Sequence, residues 1–243
     1  VITVRSVYIH IPFCKSICSY CDFCKFLHEE VYASEYLNEL SKEIDKYYDN
    51  DKIRTLYIGG GTPSVLSLNN LKKLFEITKK FDTSLLEEFT FEMNIDDITE
   101  EKLLLLKTNN VNRISIGIQS FNEINLKYLN RKHTKNEIIK NINLAKNYFT
   151  NINVDLMFAL PIETFSTLKK DVKEILKLDV PHISTYSLII EQNTVLSHNK
   201  VKPIEEDLDY KMYSYILKEL KKNNYNHYEV SNFAKEGYQS KHN

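Results

Sequence analysis

Along this chain, short runs dense in β-branched and aromatic residues alternate with longer stretches whose apolar residues recur every three or four positions. The runs are SVYIHIPF (6–13), TLYIGG (55–60), EFTFEMN (88–94), RISIGIQS (113–120), INVDLMFAL (152–160) and HISTYSLII (182–190). Each has the length and apolarity of a buried strand. The stretches between them have the period of amphipathic helices. Over 31–48, for example, Tyr36, Leu37, Leu40, Ile44 and Tyr47 fall on one face. Ser67 before LNNLKKLFEITKK and Thr164 before FSTLKKDVKEILK are placed as N-caps, and a further helix is predicted over about 205–223.

Six strand–helix units in succession predict an α/β fold built on a parallel sheet, because parallel strands need a crossover and a helix supplies it. Such a sheet either closes as a barrel or stays an open arc. The pattern changes at the end: NHYEVSNFAKEGYQSKHN reads as a strand and a loop that begin something new. The expected organisation is therefore a core domain over 1–225 and, over 226–243, the start of a C-terminal region that is largely absent.

With 42 % hydrophobic residues in 243, the chain can bury a sizeable core. Its 32 Lys and Arg against 33 Asp and Glu give a net charge of −1, which argues against a nucleic-acid surface. No apolar run reaches the ~20 residues of a membrane span, and the first residues lack the pattern of a signal peptide. A cytoplasmic protein with reduced cysteines is expected, without transmembrane segments; peripheral membrane association stays open.

All four cysteines fall in HIPFCKSICSYCDFC, as Cys14, Cys18, Cys21 and Cys24. A disulfide framework would spread them to close loops; clustered thiols in a reducing compartment read as a metal or redox site. Structural zinc prefers two cysteine pairs across a longer loop. Iron–sulfur clusters accept compact runs, either with four cysteines, as in an electron carrier, or with Cys14, Cys18 and Cys21 alone, leaving one iron open. Other polar residues gather at the predicted carboxyl ends of the strands, where catalytic groups of such sheets collect. These are Thr62, Glu92, Asn94 and Gln119, with Asp155 inside strand five, and the glycines Gly59 to Gly61 precede Thr62 at the same end. Three of the chain's five glycines stand together at 59–61, and no Walker lysine follows them, so they read as a close backbone approach or a tight turn. His10, in an otherwise apolar run, reads as a hydrogen-bonded structural residue.

The spacing C-x3-C-x2-C, with Tyr20 before the third cysteine, resembles the signature of the radical S-adenosylmethionine (SAM) enzymes. The longer strings YIHIPFC, CSYCDF, YIGGGTPS, FEMNID, NRISIGIQSFN, LNRKHT, NVDLMFALP and HYEVSNFA narrow the likeness to the oxygen-independent coproporphyrinogen III oxidase group, which includes the HemW-type haem chaperones. The resemblance implies a partial (β/α)6 TIM-type barrel with parallel strands. It implies a [4Fe–4S] cluster on Cys14, Cys18 and Cys21 whose open iron chelates SAM, and a reduced cluster that cleaves SAM to methionine and a 5′-deoxyadenosyl radical. It also implies SAM contacts at Tyr8, Tyr20, Gly60, Gly61, Thr62, Glu92, Gln119, Arg131 and Asp155.

Two departures from the oxidase favour the chaperone. CDF follows the third cysteine where the oxidases have C-x-C, and the cluster begins at residue 14 where the oxidases carry a longer N-terminal segment. The expected ligands are then haem or porphyrin, and the expected partners are haem-accepting proteins. Oxidative decarboxylation of coproporphyrinogen is the alternative, and a four-cysteine electron carrier a third reading. Cys24 is expected to be idle. His242-Asn243 resembles the start of the group's H-N-x-x-Y motif, which makes His242 a candidate haem ligand.

Overall fold

A computed structural model describes residues 4–243, and the chain within it forms two compact units. The first takes the residues up to Ser16, Phe23–Ile114 and Ser240–Asn243; the second takes Ile17–Asp22 and Ser115–Gln239.

The first unit runs through β1 (Val4–Ile11), the short β2 (Phe13–Cys14) and β3 (Phe26–Leu27), α1 (Glu30–Tyr47), β4 (Lys52–Gly60), α2 (Leu68–Thr78), β5 (Glu88–Asn94) and α3 (Glu100–Thr108). Its strands lie in the order β1-β4-β5. Both pairs are parallel, with Tyr8 beside Tyr57, His10 beside Gly59 and Tyr57 beside Thr90. Alternation along the strands separates two faces. Ile9, Ile11, Leu56, Ile58, Phe89 and Phe91 are buried on one, and the Phe75 ring of α2 sits 6.2 and 6.1 Å from those of Phe89 and Phe91. The other face carries Tyr8, His10, Thr55, Tyr57, Gly59, Thr90 and Glu92, a polar set.

In the second unit, β6 (Arg113–Gln119), which carries the chain into it, is followed by α4 (Glu123–Tyr128), α5 (Lys135–Lys146), β7 (Ile152–Phe158), α6 (Phe165–Lys177), β8 (His182–Ser187), α7 (Val195–His198), α8 (Glu206–Lys222), β9 (Asn226–Glu229) and β10 (Asn232–Ala234). The order is β6-β7-β8-β10-β9. β7 and β8 are parallel, whereas β10 is antiparallel to both β8 and β9. Leu168, Val172 and Ile175 of α6 and Met212, Ile216 and Leu220 of α8 are fully buried.

The expected caps form: Ser67 accepts from the Asn70 amide at 3.2 Å and Thr164 from the Thr167 amide at 3.1 Å. The first expected strand is divided, because Pro12 has no N–H to continue the ladder; its carbonyl accepts instead from Phe26 N at 2.6 Å. Tyr47, assigned to the apolar face of α1, is 67 % exposed, while Ala33 takes its place among the buried residues. Segment 226–243, expected to open a further region, supplies the edge strands β9 and β10 of the second unit. Its last residues, Ser240 to His242, bond to Glu88 and Thr55 of the first.

Candidate functional site

In the first unit, the end of β4 turns through Gly59, Gly60 and Gly61. Gly60 has φ +118°, and a Cβ there would meet the His10 ring at 2.7 Å. A Cβ on Gly61 would press on Cys14 Sγ and the Phe13 backbone at 3.0 Å. The glycines therefore let the main chain pass against the residue that carries the first cysteine. The Gly61 amide donates to Ile11 O at 2.9 Å, which ties this turn to the end of β1. Thr62 is buried behind it; its hydroxyl lies 2.7 Å from Gly61 O and 3.6 Å from Cys14 Sγ, and accepts from Asn94 Nδ2 at 3.1 Å.

Glu92 is held at the same end of the strands. Its Oε1 accepts from the Tyr57 hydroxyl at 2.6 Å and its Oε2 from the Gly60 amide at 3.1 Å. A carboxylate on a half-buried strand face needs such donors to offset its desolvation. Tyr57 was not singled out from the sequence; the signal for it is its register, two positions from Gly59 on the same face of β4. The Tyr8 ring lies 5.7 Å from that of Tyr57, tilted by 31°, and its hydroxyl is 3.3 Å from His10 Nδ1. Burial, then the nearby Glu92, pushes the Tyr8 phenol up to about 12, so it stays neutral. His10 keeps its structural part: Nε2 lies 2.8 Å from Cys24 O. Cys24 itself is exposed and Cys14 is buried.

In the second unit, the loop Ile17–Asp22 brings Cys18, Tyr20 and Cys21. It is stitched to the end of α4: Ser19 Oγ donates to Tyr128 O at 2.8 Å, Ser19 N to Leu129 O at 3.4 Å, and Asn130 Nδ2 to Ile17 O at 2.8 Å. Arg131 follows directly. Its Nη1 donates to Cys18 Sγ at 3.5 Å and its Nη2 to Gly117 O at 2.7 Å. Tyr20 packs against the cluster of Leu129, Met157, Leu160, Leu188 and Leu196. Burial drives its phenol far above the ordinary range, with Arg131 opposing and the Cys18 and Cys21 thiols reinforcing. Gln119 ends β6, buried and with φ 64°. Asp155 lies beside Ser184 on β8, and its Oδ1 accepts from Asn153 Nδ2 at 2.7 Å.

The structure thus brings Tyr8, Gly60, Gly61, Thr62, Glu92 and Cys14 together in the first unit, and Cys18, Tyr20, Cys21 and Arg131 in the second. None of the four cysteines is in a disulfide. Among the described residues, no three His, Cys, Asp or Glu side chains are drawn together at metal-binding distances. The donor chemistry nevertheless fits an iron–sulfur cluster: the sulfurs are soft ligands, and both Cys14 and Cys18 have a hydrogen-bond donor close to Sγ, one of the levers by which proteins tune such clusters. His242 is half-buried, its Nδ1 2.8 Å from Thr55 Oγ1 and its ring 5.1 Å from that of Tyr57. Burial lowers its pKa and keeps the imidazole neutral. Among the described residues, no helix is long and apolar enough to cross a membrane.

Residues 8–175 match the radical SAM superfamily, and the chain belongs to it. Membership implies a [4Fe–4S] cluster and SAM as cofactors. Two similar curated proteins carry the name haem chaperone HemW. That of Lactococcus lactis subsp. lactis is 44 % identical over 98 % of this chain and 64 % of its own length. That of Bacillus subtilis is 40 % identical over 99 % of this chain and 66 % of its own. The chain therefore spans about two thirds of the length of these relatives. Among solved structures, coproporphyrinogen III oxidase (HemN) from Escherichia coli, a radical SAM enzyme, matches with a TM-score of 0.88 at 24 % identity, over 96 % of this chain and 56 % of its own. SuiB of Streptococcus suis bound to SAM matches with a TM-score of 0.58 at 14 % identity, over 88 % of this chain and 47 % of its own. These likenesses show the fold: an α/β architecture with a mostly parallel sheet, as in the partial barrel expected from the sequence.

Proposed function

We propose that this chain is the radical SAM core of a haem chaperone of the HemW kind, with haem as its cargo. The observation that carries this reading is the identity of 44 and 40 % to two proteins named haem chaperone HemW, over nearly all of the chain. The CDF after the third cysteine supports it.

In this reading Cys14, Cys18 and Cys21 hold the cluster and Cys24 does not. When bound and reduced, the cluster supplies the electron that cleaves SAM. The chain's own residues bind and orient. Glu92, held from both sides by Tyr57 and Gly60, offers a fixed carboxylate to the SAM ammonium; Gly60, Gly61 and Thr62 line the same turn. Arg131 brings positive charge next to Cys18, where a cluster and a carboxylate of SAM would need it. Neutral Tyr8 and Tyr20 would supply apolar faces beside SAM, and Gln119 and Asp155 would make further polar contacts to it. Haem-accepting partner proteins and a cytoplasmic setting belong to the same proposal. His242, neutral and partly covered, is the proposed haem ligand.

The test uses the full-length protein, reconstituted anaerobically with iron and sulfide. Haem is titrated and followed by its absorbance, and a parallel sample receives SAM, a strong reductant and coproporphyrinogen III. Haem binding that falls away in His242→Ala, without decarboxylated product, supports the chaperone. Decarboxylated product would make the protein an oxidase and overturn the reading.

A further inference from the structure

The strands β6 and β7 of the second unit end alike, each in a non-glycine residue with left-handed backbone: Gln119 at φ 64° and Ala159 at φ 61°. Side chains with a Cβ avoid this region, so something nearby must hold each of them there. At both ends a buried acidic side chain lies against the turn. Asp171, on α6 and 2 % exposed, accepts from the Ser120 hydroxyl and from the Phe121 amide, the two residues that follow Gln119. Ser120 in turn accepts from Asn122 N at 3.0 Å, and its own amide donates back to Ile118 O at 2.8 Å. Glu163, 5 % exposed, faces the amides of Ala159 and Leu160 and accepts from Asn125 Nδ2 at 3.2 Å.

Buried carboxylates are costly, and neither of these belongs to the cysteine signature or to the proposed SAM contacts. Their common feature is the turn that each one braces. We propose that Asp171 is a positioning residue for the SAM site: by fixing Ser120 and Phe121 it holds Gln119 in the left-handed conformation from which its carboxamide meets SAM. The inference rests on the reading that Gln119 touches SAM. Other titratable groups face Asp171 too: Glu163 from the β7–α6 loop, and the charged Glu174 from its own helix and Lys135 from α5, the last two paired at 2.9 Å. Burial raises the Asp171 carboxyl to about 6, so at neutral pH it is an ionised acceptor and its two hydrogen bonds are charge-assisted.

A double-mutant cycle on the full-length, cluster-loaded protein tests this, with SAM affinity read by equilibrium dialysis at pH 7.5 and iron content and melting temperature as controls. Asp171→Asn keeps the shape and removes the charge; about tenfold weaker SAM binding is expected. In a Gln119→Ala background the same change is expected to cost nothing further, because the group it positions is gone. Ser120→Ala, which removes one of the two bonds, repeats the cycle if Asp171→Asn does not fold. Unchanged SAM affinity in Asp171→Asn, or a full additional loss on top of Gln119→Ala, would overturn the proposal. Unchanged affinity in Gln119→Ala alone is a distinct result: it removes Gln119 from the SAM site, and the proposal with it.

Discussion

The Tyr57 hydroxyl donates to Glu92 Oε1 at 2.6 Å, and the amide of Gly60 donates to the other oxygen of the same carboxylate. The two donors come from one strand, one from a side chain and one from the turn at its end, so the position of Glu92 is tied to the path of the glycine turn.

Replacing Tyr57 by Phe tests that tie. The ring contact with Tyr8 stays and only the hydroxyl is lost. A single hydrogen bond to a charged acceptor contributes about 1.5–3 kcal/mol when its partner is buried, less here because Glu92 is half-exposed. A melting temperature lower by a few degrees and SAM binding roughly five- to tenfold weaker, measured by calorimetry, are expected. Unchanged SAM affinity in a folded Tyr57→Phe protein would remove Glu92 from the SAM site.

Gly60→Ala asks more of the fold. The new Cβ would stand 2.7 Å from the His10 ring, in a backbone conformation that L side chains rarely adopt. His10 cannot yield freely, since its Nε2 is engaged with Cys24 O at 2.8 Å. A loss of about 3 kcal/mol in denaturant unfolding is expected. A loss below ~1 kcal/mol would show that the turn adapts.

The cysteines separate by their surroundings. Cys24 is exposed, whereas Cys14 is buried against Gly61 and Thr62, and Cys18 meets Arg131. Cys24→Ser is expected to retain about four irons per reconstituted chain, with the absorbance of the parent. Cys18→Ser is expected to lose most of its iron. Iron loss in Cys24→Ser as deep as in Cys18→Ser would restore the four-cysteine electron carrier.

Much of this was legible in the sequence, and the parts that were not share a cause. The six main strands announced themselves because each is a short run dense in β-branched and aromatic residues, and the caps at Ser67 and Thr164 because capping is local chemistry. The pair Tyr57–Glu92 was hidden, since it depends on the register that sets Tyr57 beside Thr90. Asp171 and Glu163 carry no signal in the string, yet they are 2 and 5 % exposed. No glycine marks the left-handed ends of β6 and β7, so nothing in the string points to the turns these carboxylates hold. One strand was expected after residue 225, but the second, β10, is too short at three residues to show a period.

The buried carboxylates also set a pH dependence. Burial, then the neighbouring Asp171, raises Glu163 from 4.5 to about 8. The folded state therefore keeps a proton that the unfolded chain releases. This contribution to stability is full below about 4.5 and is lost as pH rises through about 8. Asp171, raised from 3.8 to about 6, acts in the same direction over a lower window. Glu163→Gln carries a neutral amide in place of the proton-bearing carboxyl, so its stability should lack this slope. Between pH 5.5 and 8.5 the variant is expected to gain on the parent, by up to about 3 kcal/mol, in urea titrations at a series of pH values. A difference between the two proteins that stays flat over this range would mean that Glu163 is ionised in the fold at neutral pH, held by the Ala159 and Leu160 amides as a charged rather than a neutral acceptor.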